Sequence, residues 1–229
     1  MRGPIKAIVT DIEGTTSSLS FVKDVLFPYS RARMAEFVRT HASDAAVCKR
    51  LDEVREMVGG RADDEKIIAQ LIRWIDEDKK VTPLKALQGM VWEAGYQQGD
   101  FKGHVYEDAM RKLKAWHAQG IKLYVFSSGS VQAQKLLFAH SEYGDLTPLF
   151  SGYFDTTVGA KREADSYHKI AQSIGLALCD ILFLSDIKEE LDAARTAGMQ
   201  TVWLLRVGGE MPAPVHPQAR SFDDISLSV

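Results

Sequence analysis

The chain contains no asparagine, has two cysteines among 229 residues, and lacks any apolar run of membrane-spanning length. Each absence excludes something. Without Asn there is no acceptor for N-glycosylation. Cys48 and Cys179 are far apart and form no CxxC pair, so free thiols in a reducing cytosol are expected rather than a disulfide framework. The six histidines show no HExxH or CxxC…H spacing, which argues against zinc. Walker A, GxGxxG and GxSxG patterns are missing, and with them the signatures of nucleotide kinases, dehydrogenases and α/β-hydrolases. The net charge of −3 supplies no basic field for nucleic acid or an anionic membrane. "MRGPIKAIVTDIEG" meets an acid before a signal-peptide core can develop, so a cytoplasmic location is expected.

What is present is ordinary in bulk, 45% apolar and 26% charged, and informative in order. "KAIVT" reads as a short strand. From about Ser20 to Gly99 the periodicity is helical, as in Ile67, Ile68, Leu71, Ile72 and Ile75, with Gly59-Gly60 and Thr82-Pro83 as punctuation. After "GDFKG" strands and helices alternate: "KLYVF", "DILFL" and "TVWLLR" are strands, separated by amphipathic helices. Such alternation predicts βα units around a parallel sheet. The expected fold class is α/β, a Rossmann-like core of residues 1–16 and 103–229 carrying an all-helical insert over 17–102. The tail "GGEMPAPVHPQARSF" reads as a Pro-rich loop. Trp74, Trp92, Trp116 and Trp203 lie on apolar faces and read as core.

Ligands of open α/β sheets sit beyond the carboxyl ends of the strands. Asp11-Ile12-Glu13-Gly14-Thr15 follows the first strand, and Ser127-Ser128-Gly129-Ser130 the second. "GYFDTTVG" leads to Lys161, and "DILFL" to Ser185-Asp186 with Glu189 and Glu190 just beyond. Taken singly, these are a polar turn, a helix N-cap, a surface lysine and first-turn acids favoured by a helix dipole. Taken together, they share one sheet edge and suit phosphoryl transfer. Carboxylates hold Mg²⁺, and an Asp can act as nucleophile. Ser127 with the backbone N–H groups of Ser128-Gly129-Ser130 can hold phosphate oxygens, and Lys161 can neutralise developing charge. Gly14 permits a sharp turn, and Thr15 can hydrogen-bond within it.

The order Asp-x-acid-Gly-Thr, Ser, Lys, acid-rich strand end resembles the haloacid dehalogenase-like hydrolases. "TDIEGTT", "SSGSVQAQKLLF", "LFLSD", "VLFPYSR" and "LQGMVWEAGYQQGDFKGHVYED" are similar to the enolase-phosphatases of methionine salvage, over nearly the whole chain. Most phosphatases of the superfamily carry Asp at both positions of the first motif, where this chain has Glu13. The resemblance implies enolisation and then dephosphorylation of 2,3-diketo-5-methylthiopentyl 1-phosphate to an acireductone, by a cytoplasmic monomer using one Mg²⁺ and a small phosphorylated substrate. It implies Asp11 as nucleophile and metal ligand. Glu13 would contact the metal through its main-chain carbonyl and exchange a proton with substrate. Ser127, Ser128 and Gly129 would bind phosphate, Lys161 would stabilise it, Asp186 would ligate the metal, and Glu190 would orient metal-bound water or Lys161. The alternative is a Mg²⁺-dependent aspartyl-nucleophile phosphatase for another small monoester. The complete set Asp11, Glu13, Ser127, Lys161 and Asp186 speaks against a non-catalytic phosphate-binding protein, and a halide-removing enzyme would need no metal. Phe21, Phe27, Tyr29 and Trp92 read as packing residues that could also line a pocket for the methylthio tail.

Overall fold

The computed structural model describes residues 4–60, 62–206 and 215–227. The chain divides into two compact units, Met1–Leu19 with Gly103–Val229, and Ser20–Lys102. Residues 17–19, expected in the helical insert, therefore belong with the α/β unit. The reason is local: Ser17 pairs with Glu13 in a β-bridge, and its carbonyl accepts from the Gly14 N–H at 2.8 Å.

The α/β unit is built on a six-stranded parallel sheet. In chain order its strands are β1 (Ala7–Thr10), β2 (Lys122–Phe126), β3 (Phe150–Phe154), β4 (Ile181–Ser185), β5 (Gln200–Leu204) and β6 (Gln218–Ala219). Their spatial order is β3-β2-β1-β4-β5-β6, so the first strand lies inside the sheet. Thr10 pairs with Val125 of β2 on one side and Leu184 of β4 on the other. This register brings the ends of three distant segments level. Strands covered on both faces read as continuous apolar runs, and every residue of β1 and β4 is buried. The tail, expected as loop, contributes β6 through pairs Trp203–Gln218 and Leu204–Ala219; a two-residue strand has no period to read. Its residues 207–214 lie outside the described ones.

The first helix, Phe27–His41 (α1), Ala45–Met57 (α2), Asp64–Asp76 (α3) and Thr82–Gln98 (α4) make up the helical unit, preceded by a π-helical turn at Phe21–Leu26. Its core joins Met34, Val38, Leu51, Ile67, Leu71 and Leu87. Phe27 stacks on Trp92, whose indole N–H donates to the Leu26 carbonyl at 2.8 Å. The α/β unit holds Glu107–Ala118 (α5), Val131–Ala139 (α6), Ala164–Ile174 (α7) and Lys188–Ala197 (α8). Of the four tryptophans only Trp116 is fully buried; Trp74, Trp92 and Trp203 are half-buried. Among the described residues no helix is long and apolar enough to cross a membrane.

Gly103 opens the return into the α/β unit, its N–H donating to the His140 carbonyl at 2.8 Å. A Cβ there would lie 2.2 Å from the Leu137 carbonyl oxygen of α6, which is backbone and cannot rotate aside. Gly103→Ala is therefore expected to lower stability by about 3 kcal/mol, the upper range for overpacking. Urea unfolding measures it, and an unchanged midpoint would mean that the end of α6 yields freely.

Candidate active site

The site starts where β1 stops. The Asp11 N–H donates to the Leu184 carbonyl at 2.9 Å, so the β1–β4 ladder carries one residue past the strand and presents the Asp11 side chain at the sheet edge. The chain then folds tightly. The N–H groups of Thr15, Thr16 and Ser17 all point at the Ile12 carbonyl, at 3.1, 3.0 and 2.8 Å. Gly14 has φ +74°, and a Cβ on it would lie 2.1 Å from Asp186 Oδ2, so glycine is needed both for the turn and for the neighbouring carboxylate. The expected side-chain hydrogen bond of Thr15 is not made: its hydroxyl is buried without a partner. Thr16 makes it instead, donating to the Asp11 carbonyl at 3.1 Å.

Asp11, Lys161 and Glu190 come together. Lys161 Nζ lies 2.5 Å from Asp11 Oδ1 and 2.7 Å from Glu190 Oε2, and all three residues are buried. Ser185 donates to the same Glu190 oxygen at 2.9 Å and accepts from the Ile187 N–H at 3.1 Å, so the last residue of β4 orients the acid. The Lys161 carbonyl accepts from Tyr167 at 2.6 Å, and the Ala160 carbonyl from Ser166 at 2.7 Å, which ties the lysine loop to α7. Burial acts to depress the Lys161 ammonium, yet Asp11 and Glu190 beside it outweigh burial and raise its pKa. It stays cationic. Burial raises the Glu190 carboxyl in spite of Lys161. Glu189 is exposed.

Asp186 is different. Its carboxyl is pushed up to about 7, first by burial and then by the charge of Asp11. Its Oδ1 is buried with no hydrogen-bond partner. Three acids facing one lysine, one of them with an orphaned oxygen, form a donor set short of positive charge. That set fits a hard divalent cation. Among the described residues no three His, Cys, Asp or Glu side chains form a metal cage. Two carboxylates completed by backbone and water oxygens are what Mg²⁺ accepts, since it dehydrates reluctantly.

The serine loop stands at the end of β2, level with β1. Ser127 is buried and Ser128 exposed. The Gly129 N–H, expected to face phosphate, donates to Ser127 Oγ at 3.2 Å. Ser130 is the N-cap of α6, accepting from the Ala133 N–H at 3.2 Å. Gln134 clamps the loop from α6, its amide donating to the Gly129 and Phe154 carbonyls, each at 2.8 Å. Glu13 is half-buried in the turn, with its backbone in the bridge to Ser17. The spacing carries no signal for Tyr167 or Gln134. Ser185 belongs to the strand-end cluster with Asp186, and its role in orienting Glu190 is what the structure adds.

An Asp that binds its proton more tightly folded than unfolded stabilises the fold below its unfolded pKa, and that contribution is lost as pH rises through the folded value. Asp186, facing Asp11 and Glu190 with Lys161 as the nearby cation, belongs to this case. In EDTA, Asp186→Asn should raise the melting temperature by several degrees at pH 8 and much less at pH 5. A gap that did not widen with pH would show that Asp186 titrates normally.

Residues 5–198 match the haloacid dehalogenase-like hydrolase family. The chain is 63% identical to "Enolase-phosphatase E1" of Methylococcus capsulatus, over 96% of this chain and 97% of that one. It is 60% identical to the protein of the same name from Pseudomonas aeruginosa, over 96% and 98%. The crystal structure of the UTR4 protein of Saccharomyces cerevisiae superposes with a TM-score of 0.81 at 33% identity, covering 96% of this chain and all of that one. The matched lengths take in both units. The chain belongs to the enolase-phosphatases, within the haloacid dehalogenase-like hydrolases.

Proposed function

We propose that this enzyme enolises 2,3-diketo-5-methylthiopentyl 1-phosphate and then removes its phosphate, yielding the acireductone 1,2-dihydroxy-3-keto-5-methylthiopentene of methionine salvage. The observation that carries the reading is the buried Asp11–Lys161–Glu190 array beside Asp186, whose Oδ1 has no hydrogen-bond partner, in a chain so similar to named enolase-phosphatases. The α/β unit is read as the catalytic core and the helical unit as the family's cap insert. A cytoplasmic setting is supported by the unpaired thiols Cys48 and Cys179.

Asp11 is the nucleophile. One of its carboxylate oxygens is tied to Lys161, which fixes the plane of the group and leaves the other to attack phosphorus in line. A bond forms from Asp11 to phosphorus as the bond to the substrate oxygen breaks. The departing oxygen takes a proton, and water then hydrolyses the aspartyl-phosphate. Lys161 stays positive through both displacements and faces the charge on the phosphoryl oxygens. Ser127 donates to phosphate, with Ser128 and Gly129 as its neighbours in the loop. Glu190 holds Lys161 in place. Glu13 exchanges a proton with the substrate, its carboxyl being one methylene longer than the more usual Asp. Mg²⁺ would be held by Asp11, Asp186 and the Glu13 main-chain carbonyl, and when bound supplies Lewis acidity at carbonyl and phosphoryl oxygens.

The test is an anaerobic stopped-flow trace with the diketo phosphate ester, with Mg²⁺ or EDTA, alongside phosphate release. An enol chromophore preceding phosphate, with both lost in EDTA, is expected. Asp11→Asn should cut phosphate release by at least about a thousandfold. Glu13→Asp should slow the enol step more than hydrolysis. Cleavage of simple esters with an unreacted diketone would sink the enolase reading and leave a phosphatase for another small monoester.

A further inference from the structure

One buried charge in the α/β unit takes no part in the mechanism above. Arg206 follows β5 and its side chain is 8% exposed. Its Nε and Nη2 both donate to the Thr15 carbonyl, at 2.9 and 2.7 Å. Nη1 pairs with Asp108 Oδ2 of α5 at 2.6 Å. The guanidinium lies 4.2 Å from the ring centre of Tyr106 and 5.0 Å from that of Phe222. Asp108 also accepts from the Phe222 N–H at 2.6 Å. The guanidinium is thus held by a carboxylate and two rings, while two of its donor atoms converge on a single peptide carbonyl.

That carbonyl belongs to the turn that carries Asp11 and Glu13. Within the turn, the N–H groups of residues 15–17 bond to the Ile12 carbonyl and that of Gly14 bonds to Ser17. The Thr16 carbonyl accepts from the Tyr106 N–H at 2.9 Å. Thr15 has no such support from its side chain, since its hydroxyl is buried and unpartnered. Its carbonyl is therefore gripped from outside the turn by Arg206. A buried arginine is an expensive adhesive, because apolar residues of similar volume hold a loop without the desolvation of an ion. Its forked geometry offers what they do not: two donors fixed in direction on one oxygen.

We propose that Arg206 is a positioning residue for the Asp11–Thr16 turn, setting the direction of the backbone carbonyls on that turn and with it the affinity of the site for Mg²⁺. The inference rests on the reading of Asp11 and the Glu13 carbonyl as metal ligands. Partners that orient a ligand from behind typically affect metal affinity or activity 10- to 100-fold, so roughly that range is expected here.

The experiment compares Arg206→Lys and Arg206→Gln with Arg111→Ala. Arg111 forms an exposed ion pair with Asp223 at 2.6 Å, anchoring the same C-terminal segment without touching the turn. Three quantities are read: Mg²⁺ binding by calorimetry without substrate, amide hydrogen exchange over residues 7–19 of the metal-free chain, and kcat against KM at saturating Mg²⁺. Both Arg206 variants should bind Mg²⁺ at least about tenfold more weakly and exchange faster over residues 12–17. They should lose kcat, with KM within about twofold of wild type, since the phosphate loop is untouched. Arg111→Ala should match wild type in all three. Unchanged Mg²⁺ affinity and exchange in Arg206→Lys would overturn the proposal, as would an equal loss in Arg111→Ala, which would reduce the role to anchoring the tail. A wild-type chain that bound no Mg²⁺ would overturn the metal-site reading instead, and the exchange data would still decide whether Arg206 holds the turn.

Discussion

The site depends on a lysine that is 7% exposed and still charged. Burying an ammonium costs several kcal/mol even after relaxation, and burying a carboxylate costs a similar amount. At about 3 Å and an effective dielectric near 20, one ion pair returns on the order of 5 kcal/mol. A single partner leaves the two desolvation costs only partly offset. Asp11 and Glu190 both lie within hydrogen-bond distance of Nζ, and together they outweigh the effect of burial on the ammonium. The dependence is mutual. Without Lys161 the two acids would face each other and Asp186 across a buried space with no cation between them.

The sheet makes this cluster possible. Asp11 and Lys161 are 150 residues apart, and no local preference of the chain brings them together. An interior β1, paired in level register with β2 and β4, puts the ends of three strands on one edge. Lys161 lies beyond the end of β3, on a loop that would be free to wander. The hydroxyls of Tyr167 and Ser166 hold its backbone, and burial keeps the Tyr167 phenol strongly protonated and so a donor. Fold and electrostatics thus constrain the same residues: the parallel sheet delivers the charges, and helix α7 fixes the one that the sheet does not.

The alternation of buried strands and amphipathic helices was legible, because doubly covered strands leave continuous apolar runs such as "ILFLS" and helices leave threes and fours. The placement of Asp11, Ser127 and Asp186 at one edge was legible for the same reason, since a strand end is a place that topology can be asked about. Other features carried no such mark. The β6 pairing spans two residues in a Pro-rich tail. The tryptophans looked like core because their faces are apolar, but Trp92 and Trp203 are half-buried, their indole N–H groups turned towards the Leu26 and Asp186 carbonyls. The Thr15–Thr16 difference turned on which hydroxyl faces a carbonyl, which spacing alone does not distinguish. Arg206 is the extreme case: its partner Thr15 lies 191 residues away, and a lone arginine after a strand is ordinarily solvated.

The charges of the site leave one further constraint on the fold. Asp11, Asp186 and Glu190 against Lys161 would carry a net −2 if all were ionised, in a space that burial has already made hostile to charge. A chain evolved for stability alone would replace one of those acids by an apolar residue. Here the excess is kept, and the raised Asp186 carboxyl is where the metal-free protein relieves it, by holding a proton near neutrality. That carboxyl also carries an oxygen, Oδ1, left without a hydrogen-bond partner in the fold. Gly14, by having no side chain, is the residue through which the first turn leaves room for that carboxylate.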